Sequence, residues 1–201
     1  MIKTVTEKNI SPIIFIDKIN DIIATNSVEK HNYSVSDRVY IAAILRAHSI
    51  SKDFVRNSET VDLTALDKNN NKLPDSIFER TITSSELKIV CKVPTLAEDT
   101  TYNTALIELS KNKATTDVLG EIFIFEASKY ISSIESSTLG LNIKLNDLPA
   151  RQRCQLVETL PAKIYNEVID YINQVRVEES KNFVINDKPV EIDLDQSFFT
   201  A

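Results

Sequence analysis

Glycine is almost missing from this chain. Gly120 and Gly140 are the only two in 201 residues, about 1% where ~7% is ordinary. A Walker-type phosphate loop needs two glycines five apart, and a dinucleotide fingerprint needs three within six residues, because backbone N–H groups must reach phosphate with no Cβ in the way. Both are excluded. Cysteine is equally sparse: Cys91 and Cys154 cannot build a disulfide framework, and no charged and apolar leader stretch opens the sequence, so free thiols in a reducing compartment are expected. Two Asn-x-Ser matches, at Asn9 and Asn32, are discounted on the same ground. Long hydrophobic runs are absent too. Runs such as residues 13–16 are far short of the ~20 needed to cross a bilayer, so no membrane partner is expected. Nor is there an excess of positive charge. Lysine and arginine number 23 against 29 acidic residues, for a net charge of −6. Residues 1–94 carry 13 basic and 12 acidic side chains, whereas residues 95–201 carry 10 and 17. A duplex-binding surface concentrates positive charge to displace counterions, so nucleic acid is not expected as a partner.

What is present is a chain with 42% hydrophobic residues, enough for a real core at this length. Isoleucine occurs 25 times, asparagine 16 and lysine 16, against 7 arginines, the usage of an AT-rich coding sequence. The apolar period is helical over residues 12–25, where Phe15, Ile16, Ile19, Ile22 and Ile23 follow the cap-and-proline pair Ser11-Pro12. Ser36 can cap a second helix, reaching Ile50, with Tyr40, Ile41, Ile44, Leu45 and His48 on one face. The period then shortens. Val61 and Leu63, residues 78–82 and residues 87–93 read as strands of a small antiparallel sheet. Beyond Pro94 the helical spacing returns. One helix starts at Thr95 or Thr100 and ends near Asn112. Another runs from Thr116 to about Glu135 through Val118, Leu119, Ile122, Phe123, Phe125 and Ile134; it is apolar around most of its circumference and is expected to be central. Asn146 caps a helix carrying Leu148, Leu156, Val157 and Leu160. Pro161 opens the next, with the stripe Ile164, Val168, Ile172 and Val175 opposite Glu167, Asp170 and Asn173. Residues 183–192 read as a hairpin turned at Asn186-Asp187. The expectation is an α+β chain, mainly helical, with a small antiparallel sheet in the middle and a C-terminal β-hairpin. Its expected parts are residues 1–94 and 95–201, joined tightly near Pro94 or forming one domain.

No catalytic, cofactor-binding or metal set emerges. Asp67-x-Asn69-x-Asn71 opens like a calcium loop, but Lys72 stands where the turn needs glycine and Phe78 where a bidentate glutamate is needed, so a polar loop is the better reading. His31, His48, Cys91 and Cys154 are the only soft ligands, and no pair has zinc-site spacing. Cys154, following Arg151 and Arg153, could have a somewhat stabilised thiolate, although such arginines more often form a solvated helix face. The acidic pairs Glu98-Asp99, Glu178-Glu179 and Asp193/Asp195 read as surface charge. Phe198 and Phe199 close the chain. Docking onto the protein's own core is the ordinary reading, and a partner-binding anchor is the rival, with the two aromatics held at the surface.

Three segments are similar to a known family. Leu45-Arg46-Ala47-His48-Ser49-Ile50, at the end of residues 37–50, resembles a helix-closing motif of the small baseplate hub and hub-assembly proteins of T4-like bacteriophages. Leu148-Pro149-Ala150-Arg151-Gln152-Arg153 with Leu160-Pro161-Ala162 and the helix to Val177 resembles their C-terminal helical part. Residues 183–199 resemble their closing hairpin with its Phe-Phe pair. The resemblance implies a non-enzymatic late protein, a chaperone or minor hub component, binding other tail proteins in the infected bacterial cytoplasm or in the virion. The alternative is a bacterial intracellular enzyme or adaptor without a recognisable motif. An enzyme should have a deep pocket holding perturbed carboxylates or Cys154 near a histidine; an assembly protein should have no such pocket but a contiguous exposed apolar patch.

Overall fold

The computed structural model describes residues 11–27, 33–56, 59–68, 74–110, 115–181, 183–185, 188–190, 192–195 and 197–199. Its architecture is α+β and mainly helical, as the periodicity predicts. The chain divides into two compact units, one of residues 1–73 with 178–201 and one of residues 74–177. The junction expected near Pro94 is therefore misplaced. Strand β4 (Leu87–Lys92) ends just before Pro94 and pairs with β5 (Ile131–Ser136) beyond it, so a cut there would split one hydrogen-bonded sheet.

In the first unit, the side chain of Ser11 accepts a hydrogen bond from the Ile14 amide (3.4 Å), and Pro12 occupies the first turn of α1 (Pro12–Asn26). Phe15, Ile19 and Ile23 are buried at helical spacing, as expected. Helix α2 (Arg38–Ser49) differs in its buried face. Ala42, Ala43 and Arg46 are buried, Ile41, Ile44 and Leu45 are half-buried, and His48 is exposed. Alanines let α1 approach closely, so the larger side chains lie at the flanks. The turn before α2 is closed by Asp37, which accepts from the Ser34 amide and hydroxyl at 2.8 Å each; Ser36 instead donates to Glu179. Strands β1 (Asp53–Arg56) and β2 (Glu59–Asp62) form a hairpin. Asp62 then accepts from the Thr64 amide (2.9 Å) and hydroxyl (2.6 Å), starting α3 (Thr64–Lys68). Asp67 of the calcium-like run lies in α3, while Asn69, Asn71 and Lys72 lie outside the described residues. Strands β7 (Val184–Ile185) and β8 (Lys188–Pro189) pair with Ile185 opposite Lys188, the register the expected turn requires; Asn186 and Asp187 are themselves outside the described residues.

In the second unit, the short helix α4 (Asp75–Phe78) leads into β3 (Glu79–Thr83), and a four-stranded antiparallel sheet follows in the order β3, β4, β5, β6 (Leu141–Lys144). Ile82 pairs with Ile89, Ile89 with Ile134, and Ile134 with Ile143, so one row of isoleucines crosses all four strands. The first three are buried, at ~1.5–3 kcal/mol each. Between β5 and β6 the chain turns at Gly140, the one described glycine with positive φ (61°), where a Cβ would strain the backbone.

Helices α5 (Leu96–Ser110) and α6 (Thr115–Lys129) connect β4 to β5 and pack with α7 (Ala150–Glu158). The helix expected to reach Glu135 stops at Lys129. Tyr130 turns the chain, its carbonyl accepting from the Lys92 amide (2.7 Å), and the β-branched Ile131 and Ile134 enter the sheet. Asn146 does not cap α7. Pro149 precedes that helix, and the Asn146 side-chain Nδ2 donates to Glu98 Oε1 (2.8 Å). Helix α8 (Ala162–Lys181) follows Pro161 as expected, with Ile164, Val168, Ile172 and Val175 buried together with Tyr171.

Candidate functional site

The groups that sequence analysis singles out for chemistry are mostly spent on structure. Cys154, on α7, is buried with its Sγ 3.4 Å from Ser128 Oγ. Burial raises its pKa, outweighing Ser128 and Arg153, so the expected thiolate stabilisation is absent. Arg153 does not form a solvated face either. It is buried, its Nη2 donates to the Ser128 and Ile131 carbonyls (3.1 Å each), and its guanidinium lies 4.6 Å from the Tyr102 ring centre. Cys91, fully buried in β4, is pushed up to about 12 by burial, against a smaller opposing effect of Arg80. Burial thus favours the protonated thiol at both positions.

The acidic pairs are not free surface charge throughout. Glu98 Oε2 accepts from the Thr95 amide (2.8 Å) and hydroxyl (3.0 Å), while Thr95 Oγ1 accepts from the Glu98 amide. This reciprocal pair caps α5. Asp99 is buried and ion-paired with Lys129 (2.7 Å), and Asn103 donates to it at 3.2 Å. Glu126 joins Lys129 (3.0 Å) and reaches Arg176 (3.3 Å). Burial works to lower the Lys129 pKa, but Glu126 and Asp99 outweigh it and the pKa is raised. Glu179 Oε1 accepts a hydrogen bond from the Ser36 hydroxyl, and Asp195 Oδ1 accepts from the Phe198 amide (2.9 Å).

Phe198 and Phe199 are not a surface anchor. Both are buried, and the edge-on ring chain Phe54–Phe198–Phe199–Phe15 has centroid separations of 5.1, 5.0 and 6.0 Å. Arg46 fixes the segment from below. Its Nε donates to the Phe198 carbonyl (2.6 Å) and its Nη1 to the Ser51 and Asp53 carbonyls (2.7 and 3.1 Å), with the cation 5.3 Å from Phe54 and 5.5 Å from Phe198. Each aromatic buries too much apolar area to stay in water when such a pocket is within reach. Sequence analysis missed Arg46 as the organiser, because an arginine on a helix reads as solvated unless its acceptors are known.

Two features remain open. A shallow cleft of about 190 Å³ between α6 and α7 is lined by Glu121, Ile124, Phe125, Arg151, Cys154, Gln155 and Glu158. It brings acidic groups and an arginine together around a protonated thiol. Among the described residues, no three His, Cys, Asp or Glu side chains converge as metal ligands; His31 lies outside those residues. No described helix is long and apolar enough to cross a membrane. The second feature is Phe123, expected in the core but 66% exposed. At ~100° per residue it points about 200° away from Glu121, opposite the cleft. Among the described side chains of α6, Phe125 and Ala127 are buried while Phe123 is left in solvent. No protein-family model, curated protein sequence or solved structure matches the chain.

Proposed function

We propose that this chain works by binding other proteins, as an assembly factor or minor component of a phage tail baseplate hub, without catalytic activity of its own. The observation that carries the binding reading is Phe123. Phe123 is two-thirds exposed, and a phenylalanine brings a large apolar area to a partner surface, where aromatic residues are enriched. The phage setting rests on the similarity of residues 37–50, 148–177 and 183–199 to hub proteins. The partners would be met in the cytoplasm of an infected bacterium, and in the baseplate if the chain stays in the particle.

The test is co-expression of the tagged chain with the hub proteins of a T4-like phage, followed by affinity purification. The wild-type chain should retain at least one hub protein, and Phe123→Asp should lose it while melting at the wild-type temperature. Equal retention by both chains would overturn Phe123 as the anchor, and no retention by either would overturn the hub reading.

A further inference from the structure

The isoleucine row of the four-stranded sheet is unfinished. Ile82, Ile89 and Ile134 are buried, but Ile143 on β6 is only half-buried. Leu141, two residues earlier and so on the same face of the pleat, is 48% exposed, and Leu139 in the preceding turn is 70% exposed. The backbone of β6 is equally open. It is an edge strand, and among the described residues nothing is hydrogen-bonded to its outer side. At the other end of the sheet, Arg80 of β3 is tied to Gln174 of α8, and the Tyr171 hydroxyl donates to the Ile77 and Phe78 carbonyls of α4 (3.0 and 3.2 Å). An uncovered edge with apolar side chains on its core face is a template for one more strand.

We propose that a second copy of this chain supplies that strand, joining β6 to β6 in antiparallel register about a two-fold axis at Asn142. The sequence Gly140-Leu141-Asn142-Ile143-Lys144 is self-complementary in this register. Leu141 falls opposite Ile143 of the second copy, and Ile143 opposite its Leu141, so the apolar row runs on across the joint. Directly opposed residues share a face, which keeps both apolar pairs on the core side. Lys144, the only charge in β6, falls opposite Gly140, so no like charges meet. A slip of one residue would set Lys144 against Leu141 and Asn142 against Ile143, ending the row. A strand this short buries less than the ~1,000 Å² typical of stable pairs, so the dimer is concentration-dependent. The inference stands apart from the phage reading.

Disulfide trapping tests it. The native thiols are buried, so a cysteine added on β6 is the reactive one. Paired strands hold directly opposed Cα atoms within disulfide range. Asn142→Cys should therefore form a covalent dimer in oxidised glutathione about tenfold faster than Lys144→Cys, whose own counterpart lies several residues away. Wild-type sedimentation should rise between about 1 and 500 µM protein, and Leu141→Lys, altering an exposed side chain, should abolish the rise without lowering the melting temperature. Cross-linking of Asn142→Cys no faster than of Lys144→Cys would overturn the register. A wild-type chain that stays monomeric throughout would overturn the pairing itself, including the case where β6 takes a strand from a different protein.

Discussion

At the scale of single residues, Arg46 illustrates how a charge is held in an apolar place. Among the described residues no carboxylate pairs with it. Three backbone carbonyls and two phenylalanine rings replace its water instead, which offsets the cost of desolvating the cation. The closing Phe-Phe pair is part of that arrangement, so removing it should reach the core. Phe198→Ala should destabilise the chain by ~3–5 kcal/mol, seen as a lower urea midpoint, and deletion of residues 197–201 should do at least as much. An unchanged midpoint in either variant would show that the segment is a passive end. The sequence carried the two readings of Phe198 and Phe199 side by side, because aromatic residues near a terminus look alike whether they meet the core or a partner. What decides between them is the pocket made by Phe15, Arg46 and Phe54, distant in sequence and invisible to local pattern.

Elements were legible where one local signal sufficed. Pro161 followed by apolar residues at helical spacing defines α8, and Ser11-Pro12 defines the start of α1. They were illegible where tertiary pairing overrules spacing. Ile131 and Ile134 fit the helical period of α6, yet the sheet needs them opposite Cys91 and Ile89, and the chain leaves the helix at Tyr130 to provide them. Strands β1 and β6, four residues each, carry too few alternations to register. At the start of α5, one side chain joins two segments. Glu98 closes the cap on Thr95 with one oxygen and accepts from Asn146 with the other. Glu98→Ala should therefore cost about 1–2 kcal/mol, and Glu98→Gln, which can still serve as the third residue of a capping box, less. Equal losses in the two variants, measured by chemical denaturation, would show that carboxylate charge rather than the cap geometry matters.

For the whole molecule, the buried protonated groups give a directional pH dependence. Cys91 is held up to about 12 against an ordinary 9.0, and burial raises Tyr102 and Tyr171 as well. Lys129 is also raised, by Glu126 and Asp99 against the effect of its burial. Above about pH 9 the unfolded chain releases protons that the folded chain keeps, so stability falls with pH, at about 1.4 kcal/mol per unit for each fully differing group. Below that range these groups add no slope. Denaturant midpoints should be level from about pH 7 to 8.5 and decline steadily to about 10.5; a level profile to pH 10.5 would contradict the burial of these groups. The absence of phosphate-binding glycine patterns was readable from composition alone. The exposed aromatic was not, because Phe123 shares the helical period of side chains that are buried, and only the packing of α6 shows which of its faces is left over.

Phe123 is also where the functional account is most directly exposed to test. The decisive measurement is retention of phage hub proteins by the tagged chain, wild type against Phe123→Asp, with the melting temperature of each recorded in parallel. The account predicts retention by the wild type, a loss of about thirtyfold in the variant, as expected for an anchor worth ~2 kcal/mol, and equal melting temperatures. Undiminished retention by Phe123→Asp at an unchanged melting temperature would contradict it.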